Sequence, residues 1–217
     1  NAMISACEEL RCIDQTLLSI QGLISVYAKH FSTGIPTYWK YKLMPRDFYH
    51  NTTIHHQQKM FVKNGLFEID TIKRVKHISG RTDWDRACTY HINPRAVYHF
   101  CNETLRNSFY EHQWKVGNCK RHRIFLSQGG YPIKGLHYMI EALPLILCHY
   151  PDTTVYIGGW DPISLKGNLK DILRRNSFGW YLLKLIKKYN IGKHLVFTGL
   201  LDEKEICTQY LQSHVFV

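Results

Sequence analysis

No stretch of this sequence is both long and apolar enough to cross a bilayer. The most apolar windows, such as MIEALPLILCHY, are short and interrupted by Glu141, Pro144 and His149. Prolines are few, 7 in 217 residues, and no segment is of low complexity, which argues against long disordered stretches. The start shows no secretory leader pattern, and Asn1-Ala2 ahead of Met3 reads as a tag remnant. Acidic residues are scarce, 17 against 28 lysines and arginines, so the formal net charge is +11, with 13 histidines in addition. That balance favours acidic partners, whether nucleic acid, anionic lipid headgroups or a diphosphate-bearing substrate, and does not choose among them. The 7 cysteines are odd in number and without disulfide-like clustering, which favours a reduced, cytosolic setting.

What the sequence does have is alternation. Residues 123–127 (RIFLS) predict a strand, followed by a glycine turn and a helix from about Gly135 to Cys148 with apolar residues at helical spacing. A second strand (TTVYI, Thr153 to Ile157) ends in Gly158-Gly159. A loop with Asp161-Pro162 then leads to a long helix over about Leu169 to Lys188. A third strand, His194 to Gly199, a short helix DEKEICTQYL and the apolar run His214 to Val217 complete this half. Strand–helix alternation with short connections predicts an α/β fold with a parallel sheet, whose ligands bind beyond the carboxyl ends of the strands.

The first half alternates less regularly. Strands are predicted at Thr16 to Gln21, Lys76 to Ser79 and Ala96 to Phe100. Helices are predicted up to Phe31, over Lys59 to Val75 and over Thr82 to His91, and Pro45 to His56 reads as a polar connection. The boundary falls near residue 119, giving segments 1–119 and 120–217. The chain opens almost directly into a strand and stops on an apolar one, so it reads as a piece of something longer.

The turn in SQGGYPIKGLHYMIEAL (127–143) is the first candidate site. It fails the GxxxxGK[ST] phosphate-loop pattern, because Gly135 follows Lys134, and it fails GxGxxG as well. A strand, a flexible turn, a lysine and a helix start still suit an anion, and equally suit a plain change of direction. GRTDWDRA (Gly80 to Ala87) reads either as a capped helix start with surface ion pairs or as Arg81 and Asp83 facing a crevice. Cys88-x-x-His91 and Cys119-x-x-His122 supply enough ligands for one zinc, but Cys88 falls in a predicted helix where it would face the core; no HExxH occurs, and no metal is expected. The basic helix WYLLKLIKKY (Trp180 to Tyr189) fits a surface helix or a membrane contact better than a nucleic-acid face.

In order and spacing, SQGGYPIKGLHYMIEALP, TTVYIGG, HLVFTGLLDEKEI and HVFV, preceded by LLSIQGLISVYAKHF and HISGRTDWDRACTYHINPRAVYHFCNETLRNSFY, resemble the retaining glycosyltransferases of family 4. The resemblance spans nearly the whole chain. It implies two partial Rossmann-like halves of the GT-B type with parallel sheets, and sugar transfer from a nucleotide-diphosphate-sugar to a glycan or lipid-linked acceptor. The nucleotide-sugar is then substrate, and no cofactor is implied. The resemblance puts Lys134, with Gly129 and Gly130, at the donor diphosphate. It puts Thr198, Gly199 and Leu200 at the nucleotide base, and Gln21, Gly22, Arg81 and Asp83 on the acceptor side. It identifies no catalytic residue here. Gly129 stands where many members carry an arginine, and the family's E-x7-E pair would fall after Val217, so the chain is expected to be inactive by itself. The rival expectation is a catalytically incomplete nucleotide-binding module that self-associates through exposed sheet edges as a homodimer. A cytoplasmic setting, peripheral to the inner face of a membrane, follows from the acceptor class.

Overall fold

The structure, a computed structural model, describes residues 2–163 and 169–217. In chain order its elements are α1 (Ala2–Glu9), β1 (Leu17–Ser19), α2 (Ile24–Tyr27), α3 (Thr37–Tyr41), α4 (Pro45–His50), α5 (Ile54–Arg74), β2 (His77–Gly80), α6 (Asp83–Ile92), β3 (Val97–Phe100), β4 (Lys120–Leu126), α7 (Leu136–His149), β5 (Thr154–Gly158), α8 (Leu169–Arg174), α9 (Ser177–Tyr189), β6 (Leu195–Gly199), α10 (Glu203–Gln212) and β7 (Ser213–Phe216). They form two compact units, each with its own parallel sheet. The first comprises residues 1–31 and 58–104, the second residues 32–57 and 105–217. The second unit is therefore discontinuous in sequence, and one of its boundaries falls inside α5.

In the first unit three parallel strands stand in the order β1-β2-β3, with Leu18, Ile78 and Tyr98 in register. That row faces a core of Ile4, Ile20, Leu23, Ile72, Val75, Ile78 and Ala96, with Ile13, Val26, Cys88 and Ile92 at its margin. Each fully buried aliphatic side chain contributes about 1.5–3 kcal/mol. The Glu68 carboxylate of α5 accepts from the backbone N–H of Ile24 (3.1 Å) and Ser25 (2.7 Å), so an anion satisfies the open start of α2. α6 begins with a reciprocal cap. The Asp85 N–H donates to the Thr82 hydroxyl (3.0 Å), and the Thr82 N–H donates to the Asp85 carboxylate (3.2 Å).

In the second unit four parallel strands stand in the order β6-β5-β4-β7. Phe125, Leu126, Val155 and Ile157 of the central strands are buried, as are Leu136, Ile140 and Leu143 of α7 and Phe178, Leu182 and Ile186 of α9. Arg123 is a buried cation that, among the described residues, has no carboxylate partner. Its guanidinium lies 3.6 Å over the Tyr156 ring and donates to the side-chain carbonyls of Gln209 and Gln212, and burial lowers its proton affinity.

Several expectations are corrected by the structure. The chain opens with helix α1 rather than with a strand. The polar connection Pro45 to His56 holds helix α4 and the start of α5. The single helix over 169–188 is two helices, because the Asn176 side chain accepts from the Gly179 N–H (2.9 Å) and starts α9 afresh. Residues 164–168, expected as loop, lie outside the described residues.

Asp47 holds α4 and α9 together. This buried carboxylate accepts from the Met44 N–H (3.2 Å), the Thr52 hydroxyl (2.7 Å) and the Ser177 N–H at the start of α9 (2.9 Å). Beside it Trp39 of α3 packs on Tyr181 of α9, ring centroids 5.8 Å apart.

Candidate functional sites

The order β6-β5-β4-β7 reverses direction at β4. Chain order runs outward from β4 through β5 to β6, then returns to the other side of β4 with β7. In open parallel sheets ligands bind beyond the carboxyl ends of the strands at such a reversal. The glycine turn that follows β4 occupies that position.

Three loops at this end are tied in series by backbone hydrogen bonds. The Gly129 N–H donates to the Gly158 carbonyl (3.2 Å), and the Gly159 N–H donates to the Gly199 carbonyl (2.9 Å). The Thr198 hydroxyl donates to the Ile157 carbonyl (3.1 Å). Gly129 and Gly130 are buried in this lattice. A Cβ on Gly129 would lie 2.5 Å from Ile157 Cγ2, and one on Gly130 3.1 Å from the Trp160 carbonyl oxygen. These two glycines are therefore packing positions that let the backbone approach closely. Gly199 has φ 77°, the left-handed conformation glycine adopts without strain, and Leu200 beyond it is exposed.

Lys134 ends the 3-10 turn Pro132–Lys134, ahead of Gly135 (φ 76°), which begins α7 with no side-chain cap. Its ammonium is exposed and, among the described residues, has no ion-pair partner. An uncapped helix start and a free cation on one turn suit a bound anion. Trp160 and Arg46 were not foreseen here. Trp160 lies against Gly130, and the Arg46 guanidinium sits 5.4 Å over the Trp160 ring while donating to the Arg174 carbonyl (2.9 Å). Only the packing reveals Arg46, which lies far from this loop in sequence.

Behind the turn, His137 is buried at the second position of α7, with its Nε2 3.0 Å from the Thr33 carbonyl and its Nδ1 without a partner among the described residues. Burial holds it neutral by pulling its pKa below the ordinary histidine value, against a smaller opposing effect of the Thr33 carbonyl. The stability it contributes is full above the unfolded pKa of about 6.5 and is lost as pH falls through the lower folded value. We expect the Tm to drop between about pH 7.5 and pH 5.5 and the drop to shrink in His137→Gln, whose amide nitrogen can still donate to Thr33. Equal slopes for both proteins in thermal melts would show that His137 does not titrate in this window.

The first unit holds a second crevice at the carboxyl ends of its strands, a polar cavity of about 350 Å³ lined by Gln21, Ser79, Arg81, Asn102, Glu103 and Thr104 among others. Arg81 spans it, donating to the Gln21 carbonyl and pairing with Glu103 (2.9 Å). Asp85 fixes the turn beneath by accepting from the Arg81 N–H (3.2 Å). Of the four residues expected on the acceptor side, the structure brings Gln21 and Arg81 together. Gly22 lies outside the lining, and Asp83 turns to solvent, paired with Arg86 (3.0 Å) on the surface of α6. GRTDWDRA thus divides. Its aspartates and Thr82 build the helix start, while Arg81 faces the crevice.

The cysteine–histidine pairs have other partners. Cys88 packs at the core margin, the Cys119 thiol donates to the Val116 carbonyl (3.3 Å), and His122 pairs with Asp152 (2.7 Å). Among the described residues no three histidine, cysteine or acidic side chains converge as metal ligands. No helix of the described residues is long and apolar enough to cross a membrane. No protein-family model and no curated protein matches this sequence.

Proposed function

We propose that the second unit binds the diphosphate of a nucleotide-sugar donor, in the service of sugar transfer to a glycan or lipid-linked hydroxyl. The supporting observation is Lys134, exposed and without an ion-pair partner among the described residues, at a helix start with no side-chain cap, on the glycine turn where the strand order of the sheet reverses. A cation and backbone amides at that point would stabilise the charge that a departing nucleoside diphosphate develops. Thr198, Gly199 and Leu200 would lie along the base, and Arg81 with Glu103 would present charge and hydrogen bonds to acceptor hydroxyls. Contact with the inner face of a membrane belongs to the same reading, because lipid-linked acceptors lie there.

Calorimetric titration with UDP, GDP and ADP, and with their glucose conjugates, tests the donor site. We expect one nucleoside diphosphate to bind, and Lys134→Ala to weaken it about tenfold through loss of one charge-assisted contact. Absence of binding by all of them, or binding that Lys134→Ala leaves unchanged, would overturn the assignment.

A further inference from the structure

Residues 37–50 (TYWKYKLMPRDFYH) present an unusual concentration of exposed apolar side chains. Tyr38 is 64%, Tyr41 58%, Leu43 65%, Phe48 72% and Tyr49 80% exposed. A soluble surface scatters such residues singly; five within one short segment mark a contact surface. Lys40, Lys42 and Arg46 are interleaved with them. The single acidic residue of the segment, Asp47, is buried, with both carboxylate oxygens accepting hydrogen bonds. The neighbouring α9 extends this basic character. Lys184, Lys187 and Lys188 are exposed, and the Lys184 ammonium lies 5.8 Å over the ring of Trp39. Lys42 sits over the Tyr38 and Trp39 rings at 4.9 and 4.6 Å, so cations and aromatics form one continuous surface. Beside Tyr49 a cavity of about 210 Å³ is lined by Pro45, Arg46, Tyr49, His50, Leu173 and Arg174.

Amphipathic rings that seat at headgroup depth, with cations around them and no outward acid within residues 37–50, suit an anionic bilayer surface. We infer that α3, α4 and the turn between them form a docking surface for anionic phospholipid. Tyr41, Leu43, Phe48 and Tyr49 enter the interface, while Lys40, Lys42 and the basic cavity at Arg46 receive headgroup phosphates. This deepens the membrane contact proposed above by naming its surface, and it does not depend on the donor site.

Flotation of the full chain with vesicles tests it, using phosphatidylcholine alone and equal parts phosphatidylcholine and phosphatidylglycerol. Retention is expected on the mixed vesicles only and is expected to fall with added salt. Lys40→Glu with Lys42→Glu should weaken it roughly tenfold or more, as should Phe48→Ser with Tyr49→Ser, while Arg95→Glu with Lys115→Glu should change it less than about threefold. The two test pairs alter different chemistry, so if one fails to fold, as judged by circular dichroism, the other decides. Equal retention of all variants, equal retention on phosphatidylcholine alone, or tighter retention on single-stranded RNA than on the mixed vesicles would overturn the surface. UDP, GDP or ADP binding is measured on the same variants. Vesicle retention without nucleotide binding would sink the donor site and leave this surface standing, and the converse result would do the reverse.

Discussion

Replacing Asp47 with alanine is expected to destabilise the second unit by about 3–5 kcal/mol, a large part of a typical domain's stability. Three donors lose their acceptor at once, the Met44 and Ser177 amides and the Thr52 hydroxyl, around a carboxylate that is itself buried. Each stranded donor costs about 1–3 kcal/mol, partly offset because a buried charge is also removed. Asp47→Asn separates the two effects. Its amide oxygen can keep the backbone donors while its NH₂ faces the rotatable Thr52 hydroxyl, so a loss of only about 1–2 kcal/mol is expected. Urea unfolding followed by fluorescence reads this unit well, because Trp39, Trp114, Trp160 and Trp180 all lie in it. A midpoint for Asp47→Ala equal to that of the parent would show that the packing of Trp39 on Tyr181 holds this segment without the carboxylate.

The second large effect is expected at Gly158. Its φ is not positive, so the constraint is steric: a Cβ would sit 2.7 Å from the Ser127 carbonyl oxygen and 3.5 Å from that of Leu126. Both obstacles are backbone of the adjacent strand end and cannot rotate away. Gly158→Ala should therefore cost about 2–4 kcal/mol by forcing β4 and β5 apart where the glycine turn begins. The Gly129–Gly158 hydrogen bond should fail with it, and the nucleoside diphosphate binding proposed for this turn should be lost at temperatures where the protein is still folded. Gly192→Ala is the comparison, since its Cβ would meet only Ile186 Cγ2 at 3.6 Å, an ordinary contact. If the two variants melt together, the close approach at Gly158 is relieved by a small shift and the loop lattice is more compliant than its geometry implies.

The parallel sheet of the second unit was legible in the sequence because its strands are short apolar runs ended by glycine and separated by amphipathic helices. The position of the Lys134 turn followed from the same signals. Strand order was not legible, since nothing local in β7 states that it pairs with β4 rather than with β6. The break ahead of α9 was hidden because apolar spacing runs through it, and the cap at Asn176 is one polar residue among several. α3 and α4 escaped for the opposite reason. They are too short to show a period, and they stand through Asp47 and Trp39, whose partners lie far along the chain. Arg81 was named but Glu103 was not, because pairing across the ends of two strands leaves no mark on spacing.

The placement of residues 32–57 in the second unit has a consequence for how the protein is made. On the ribosome this segment emerges before the first unit is complete and long before Ser177, so Asp47 and the Thr33 carbonyl must wait for α9 and His137. Throughout that interval Trp39 of α3 has no Tyr181 to pack against. A fragment beginning at Leu105 would carry the entire four-stranded sheet and the Lys134 turn, yet lack the pieces that close α9 and receive His137. Such a fragment should express as an aggregation-prone species and recover solubility when residues 32–57 are supplied in trans.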